Sequence, residues 1–256
     1  MLQVTKYNAS GNDFVIFHDS KKKDRSKLAK ILCDRHEGVG ADGMVVLTPH
    51  KDYDFEWEFY NSDGSTALMC GNATRAVAHY AIEHGISING KAEFLTGAGV
   101  ISATVNGVYV VTDMLEPKII NREIVEFDKK WWLIDTGVPH LVTQAEKIED
   151  FFIDEMRELR RKYDANVNIY YLDDDNMKVR TYERGVEDET LACGTGIMAS
   201  FVKAHSEGKV NDITAVYPKS GEELYVEYDE GKYKFGGKVS KVFVADITRD
   251  IPNNLL

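Results

Sequence analysis

Apolar positions in this chain recur mostly in short alternating or β-branched runs, and these predict strands at VTKY, FVIF, MVVL, FEWEFY, VISATV and VYVVTDM. The pattern continues at WWLIDTG, NVNIYYL, MKVRTYE, ITAVYP, ELYVEY and KVFVADI. Four segments carry a helical period instead. They are Ser26 to Asp34, Asn72 to His84, Glu149 to Lys162 and Gly194 to Glu207. The expected class is α+β and β-rich.

Comparing positions at an offset of 123 exposes an internal repeat. Leu68, Cys70, Gly71 and Ala76 in STALMCGNATRAVAHYA match Leu191, Cys193, Gly194 and Ala199 in DETLACGTGIMASFVKA. Both copies run into a predicted helix. The first has the stripe Ala73, Ala76, Val77, Tyr80 and Ala81, whereas Ile197 and Phe201 shift the apolar face of the second by about one residue. The turn around Gly11-Asn12 precedes Cys70 about as Gly137-Val138 precedes Cys193. The simplest architecture is two pseudo-symmetric, barrel-like β-rich halves, each with strands around a central helix and with the active site in the cleft between them. Residues 1–116 would carry Cys70 and residues 117–256 would carry Cys193, with Pro117 marking the join. A C-terminal strand near 243–256 is expected to return to the first half.

Composition narrows the function classes. With 31 Lys and Arg against 42 Asp and Glu, the formal charge is −11, and no basic stripe marks a nucleic-acid surface. No run approaches the roughly 18 apolar residues of a membrane span. Met1 leads straight into LQVTKY rather than a leader peptide, so the expected compartment is the cytoplasm. Three cysteines without C-x-x-C spacing suit neither a disulfide framework nor a zinc site. Cys33 lies in an amphipathic stretch and reads as core.

Cys70 and Cys193 read differently, because each precedes a polar or glycine-rich turn that is poor core material, Gly71-Asn72 or Gly194-Thr195-Gly196. A cysteine at a helix start sits beside unsatisfied N–H groups and the positive end of the helix dipole, which stabilise thiolate and bind anions. Two such thiols on opposite faces of one carbon would invert a stereocentre, one removing a proton and the other returning one.

The motifs ASGNDFVIF, DRHEGVGADGMVVL, FYNSDGSTALMCGNATRA, TGVPHLV, VNIYYL and YERGVEDETLACGTG resemble, in order, those of the diaminopimelate epimerase family. The resemblance implies conversion of LL- to meso-diaminopimelate, on the route to lysine and peptidoglycan precursors, without pyridoxal phosphate, metal or other cofactor. It also implies a homodimer. By the same resemblance Cys70 and Cys193 are the acid/base pair, while Gly71, Asn72, Gly194 and Thr195 hold the reacting carboxylate through backbone N–H groups. Asn12, Asn61 and Asn168 supply polar contacts to the substrate, and Arg184 meets its distal carboxylate. Glu183 contacts the substrate and, with His140, tunes the thiols. Val138 replaces a family asparagine and Gly43 a glutamine found in some members, so neither carries a function.

Read from the residues alone, other roles stay open. Asn12 and Asn61 suit turns, Glu183 and Arg184 a surface ion pair, and His140 a strand end. Within the same chemistry the rivals are proline racemase and hydroxyproline epimerase. Outside it they are a thiol redox switch and a nonenzymatic amino-acid binding module.

Overall fold

The computed structural model describes residues 2–173, 176–248 and 251–252. The chain forms two compact units, Met1–Thr112 with Gly237–Leu256, and Asp113–Gly236.

In the first unit, β1 (Leu2–Ala9) and β2 (Asn12–His18) form an antiparallel hairpin. Its two-residue loop is Ser10-Gly11, both at positive φ, the conformation that matches strand twist. Helix α1 (Ser26–Cys33) crosses to β3 (Gly43–Thr48), which lies parallel to β2 and antiparallel to β4 (Phe55–Asn61). Helix α2 (Gly71–Glu83) crosses to β5 (Lys91–Thr96), parallel to β4, and the meander β5–β6 (Gly99–Asn106)–β7 (Tyr109–Asp113) follows.

The second unit repeats this order after an added strand. β8 (Lys118–Glu126) pairs antiparallel with β9 (Lys129–Asp135), and β9 with β10 (Pro139–Gln144). Helix α3 (Ile153–Tyr163) leads to β11 (Asn166–Asp173), parallel to β10 and antiparallel to β12 (Asn176–Glu183). The short β13 (Asp188–Thr190) pairs with β12. Helix α4 (Gly194–Ser206) leads to β14 (Ile213–Tyr217), parallel to β12, then to β15 (Leu224–Asp229) and β16 (Lys232–Lys238). Finally β17 (Ser240–Ile247) pairs antiparallel with β1, as β8 does with β9. That pairing places β17 in the first unit, whose boundary lies at Thr112 rather than residue 116. Of the strand expected near 243–256, residues 249–250 and 253–256 lie outside the described residues, as does Met1.

Each unit wraps one helix inside its main core. In the first, Ala73, Ala76, Val77, Tyr80 and Ala81 of α2 pack with Tyr7, Phe14, Phe55 and Phe94; the small side chains let the strands approach the helix closely. In the second, Ile197, Met198, Phe201 and Val202 of α4 pack with Ile134, Tyr170, Val226 and Phe235. Residues 196–204 of α4 are buried all round, including the polar Ser200 and Lys203, so the middle of the second helix has no solvent-exposed face. Helices α1 and α3 cover separate, smaller cores. The helix expected from Glu149 starts instead at Ile153. Ile148–Asp150 forms a 3₁₀ turn, and Phe151 and Phe152 are extended. Among the described residues, no helix is long and apolar enough to cross a membrane.

Candidate active site

Both cysteines occupy the same local geometry. Cys70 is the N-cap of α2 at φ −147° and ψ 113°, and Cys193 the N-cap of α4 at φ −126° and ψ 107°. Their carbonyls open the two 13-residue helices, accepting from Thr74 N–H and Ile197 N–H, each at 2.9 Å. The residues after each sulfur, Gly71-Asn72 and Gly194-Thr195, form the first helical turn, where the leading N–H groups have no intrahelical acceptor. Each helix start therefore presents N–H donors and the positive end of its helix dipole.

The surroundings of the two thiols differ. Cys70 is partly exposed, and its Sγ–H donates to Asn12 Oδ1 at 3.8 Å. Asn12 Nδ2 donates to Asp42 Oδ2 at 2.7 Å, and the same oxygen accepts from Asp13 N–H at 3.1 Å. Arg35 bridges Asp13 and Asp42, and Lys6 pairs with Asp13 at 2.7 Å. Burial opposes ionisation of Asp13, but the hydrogen bonds from Arg35 and Lys6 outweigh it and hold the carboxyl well below the usual range. Beside Cys70, Asn72 is buried, and its Oδ1 accepts from Arg75 Nη2 at 2.8 Å. The fully buried Arg75 also donates to Ser10 Oγ and to the Gly71 carbonyl. Asn61 ends β4 in a turn, donating to Ser65 Oγ at 2.9 Å. A side chain at Gly43 would place its Cβ 2.9 Å from the Tyr60 carbonyl, so β3 and β4 run too close there to accept a glutamine without shifting.

Cys193 is buried, and its Sγ lies 3.4 Å from Thr195 Oγ1, a hydroxyl able to donate as well as accept. The Thr195 carbonyl accepts from Thr136 Oγ1 at 3.1 Å, which ties the helix start to the β9–β10 turn. Beneath the first turn of α4 lies a polar shelf. Asn168 Oδ1 accepts from Thr181 Oγ1 at 2.8 Å, and Asn168 Nδ2 lies 3.0 Å from His140 Nδ1. His140 and Asn168 are both fully buried. Burial pushes the imidazole pKa down to about 3; the Asn168 hydrogen bond opposes this and nearby Arg184 adds to it, so His140 is neutral. Burial also raises the Glu183 pKa.

Of the residues expected to touch substrate, Asn168 is enclosed in this shelf. Arg184 reaches Asp164, donating to its carbonyl at 3.0 Å and pairing with its carboxylate at 3.1 Å. Val138 is partly exposed in the β9–β10 turn, its carbonyl accepting from Thr136 N–H. Asp42, Arg75, Thr136 and Thr181 join the surroundings of the helix starts, although the sequence reading gave them no role. Asp42 and Arg75 stand inside the family-like motifs at 34–47 and 59–76, and that position was their available signal. Among the described residues, no three His, Cys, Asp or Glu side chains group as metal ligands.

The fold is shared with solved structures of low identity. A hydroxyproline epimerase from Agrobacterium vitis superimposes with a TM-score of 0.69 at 14% identity, covering 95% of this chain and 91% of its own. A PhzF-family phenazine biosynthesis protein from Enterococcus faecalis gives 0.72 at 14%, covering 94% and 97%. The shared fold thus places the chain in the class of two-unit α+β proteins to which these structures belong. Sequence similarity is far more specific. The family model for diaminopimelate epimerase matches residues 4–120 and 132–241. A diaminopimelate epimerase of a Nitratiruptor species is 58% identical over 94% of this chain and 97% of its own length. That of Helicobacter pylori is 45% identical over 90% and 91%. The chain belongs to the diaminopimelate epimerase family.

Proposed function

We propose that this protein interconverts LL- and meso-diaminopimelate by a two-base reaction at Cys70 and Cys193, the step that feeds lysine and peptidoglycan-precursor synthesis. The observation that carries the reading is the pair of cysteines at equivalent N-caps of two repeated helices, in a chain of this family. One thiolate removes the α-proton from one face of the carbon, and the other thiol donates a proton to the opposite face. The first sulfur ends as thiol and the second as thiolate, so atoms and charge balance. Between the two steps the carbanion's charge spreads onto its carboxylate. The leading N–H groups at Gly71-Asn72 and Gly194-Thr195 supply donors for that charge; losing one such donor costs about 2.7–4 kcal/mol of transition-state stabilisation. The thiols themselves carry the protons in both directions.

Arg184 would exchange Asp164 for the substrate's distal carboxylate, which its planar guanidinium fits. His140 and Glu183 act in this reading through the framework beneath α4 and at the end of β12. The small-molecule substrate and the cytoplasm as compartment belong together here, and a homodimer is the assembly taken from the family resemblance.

The test is incubation of reduced protein with LL-diaminopimelate in heavy water, following α-deuterium by mass spectrometry. Deuterium should enter with formation of the meso isomer, and Cys70→Ala and Cys193→Ala should each abolish epimerisation while Cys33→Ala retains it. Turnover of proline without turnover of diaminopimelate, or epimerisation surviving either of the first two substitutions, overturns the proposal.

A further inference from the structure

The Asn12 amide lies between two groups that demand opposite ends of it. Asp42 offers a carboxylate oxygen at 2.7 Å, and a carboxylate only accepts, so the amide's NH₂ must face Asp42. Its carbonyl oxygen then faces Cys70 Sγ at 3.8 Å. Amide orientations are ordinarily assigned from their neighbours, and here the anion makes the assignment unambiguous. Asp42 is itself held. Its backbone N–H donates to Asp13 Oδ1 at 2.8 Å, its Oδ2 accepts from Asp13 N–H, and Arg35 donates to its Oδ1 at 2.7 Å.

A carbonyl oxygen can accept from a thiol but offers nothing to a thiolate. Turned the other way, the same amide would donate to the thiolate. We propose that Asp42 is a positioning residue that locks the Asn12 carbonyl toward Cys70, so that Cys70 rests as the protonated member of the acid/base pair. The assignment deepens the two-base reading and rests on it. It also opposes the helix start of α2, which alone favours thiolate, and so separates the resting state of Cys70 from that of Cys193, whose neighbour is the Thr195 hydroxyl.

The charged groups around Asn12 and the first turn of α2 are Asp42, Asp13, Arg35 and Lys6 on the strand side and Arg75 within the helix. Removing the Asp42 charge could by itself ease ionisation of Cys70, and a double-mutant cycle separates that effect from amide locking.

The experiment measures the pH dependence of iodoacetamide alkylation at the Cys70 peptide by mass spectrometry, in a Cys193→Ala background so that one titration is read. Alkylation reports the thiol whatever the substrate, so it fails separately from the epimerase reading. Asp42→Asn frees the amide to turn, and the midpoint should fall by about one pH unit. Asn12→Ala removes the acceptor and should lower the midpoint by itself, which serves as the test should Asp42→Asn not fold. Adding Asp42→Asn to Asn12→Ala should then lower the midpoint by clearly less than Asp42→Asn does alone, the remainder being the effect of the lost charge. The proposal is overturned by an unmoved or raised midpoint in either single variant. It is equally overturned by an Asp42→Asn shift that persists in full without Asn12, or by faster alkylation at every pH with no change of midpoint.

Discussion

Replacing Gly196 by alanine sets two effects of opposite sign against each other. In an exposed helix interior the change would stabilise by up to about 1 kcal/mol, because glycine is the more costly residue to order. At this site a Cβ would lie 2.3 Å from Asn168 Oδ1 and 3.0 Å from Thr181 Oγ1. Ordinary contact begins near 3.4 Å, so the amide oxygen must retreat by roughly 1 Å. It cannot do so freely, because Oδ1 holds Thr181 at 2.8 Å while Nδ2 holds His140 at 3.0 Å, all within a fully buried shelf. Breaking one buried hydrogen bond costs about 1–3 kcal/mol and overpacking a tight core about 1–3 kcal/mol more. The expected balance is a loss of about 1–5 kcal/mol, at about 2–4 °C in Tm per kcal/mol for a chain of roughly this size. The same displacement would lift the first turn of α4, which carries Cys193, so turnover should fall by at least about tenfold, as small misplacements of reacting groups do. Thermal unfolding and steady-state kinetics of Gly196→Ala test both halves. A variant as stable as the parent with unchanged kcat would refute the rigid shelf.

Further outcomes follow from the same geometry. His140 is held neutral with a pKa near 3, whereas an unfolded histidine titrates near 6.5, so the unfolded chain binds the extra proton between those values. Stability should therefore drop as pH falls from 6.5 toward 3, by about 1.4 kcal/mol per pH unit from this residue. His140→Gln should flatten that slope in urea titrations across the window, and an unchanged slope would show that other groups cause it. Arg184→Gln should raise KM for diaminopimelate by about 10- to 100-fold, the worth of hydrogen bonds to a charged group. It should move Tm little, because Asp164 is an exposed partner; an unchanged KM would leave Arg184 as a surface ion pair only.

How much of this was legible in the sequence depends on the range of the interaction concerned. Both cysteine helices, the strand-rich class and the repeat follow from local pattern, and the repeat extends to matching strand pairings from β1–β6 to β9–β15. Five strands, β5, β8, β10, β13 and β16, fall outside the predicted runs, and three of them have plain physical reasons for it. β8 is mostly exposed and lacks an alternating face, β13 is three residues long, and β16 contains Gly236-Gly237. Site contacts formed across 20 to 60 positions of sequence were not readable. Asn12 with Asp42, Arg184 with Asp164 and Cys70 with Asn12 depend on which strand ends the fold brings together.

Val138 shows what the repeat hides. It stands in the β9–β10 turn, the counterpart of the β1–β2 turn that leads into Asn12, so where the first unit has the amide that meets Cys70 the second has a valine, which offers no side-chain hydrogen bond. Two residues beyond each sulfur the difference reverses. Asn72 is taken up by Arg75, while the Thr195 hydroxyl stays beside Cys193. A twofold repeat would give both thiols the same proton affinity, leaving nothing to decide which begins as the base. Substitutions at these two turns break that equivalence while the backbone around each helix start is preserved, and under the proposed two-base reaction, which needs one thiol and one thiolate at once, they would set which sulfur starts in which state.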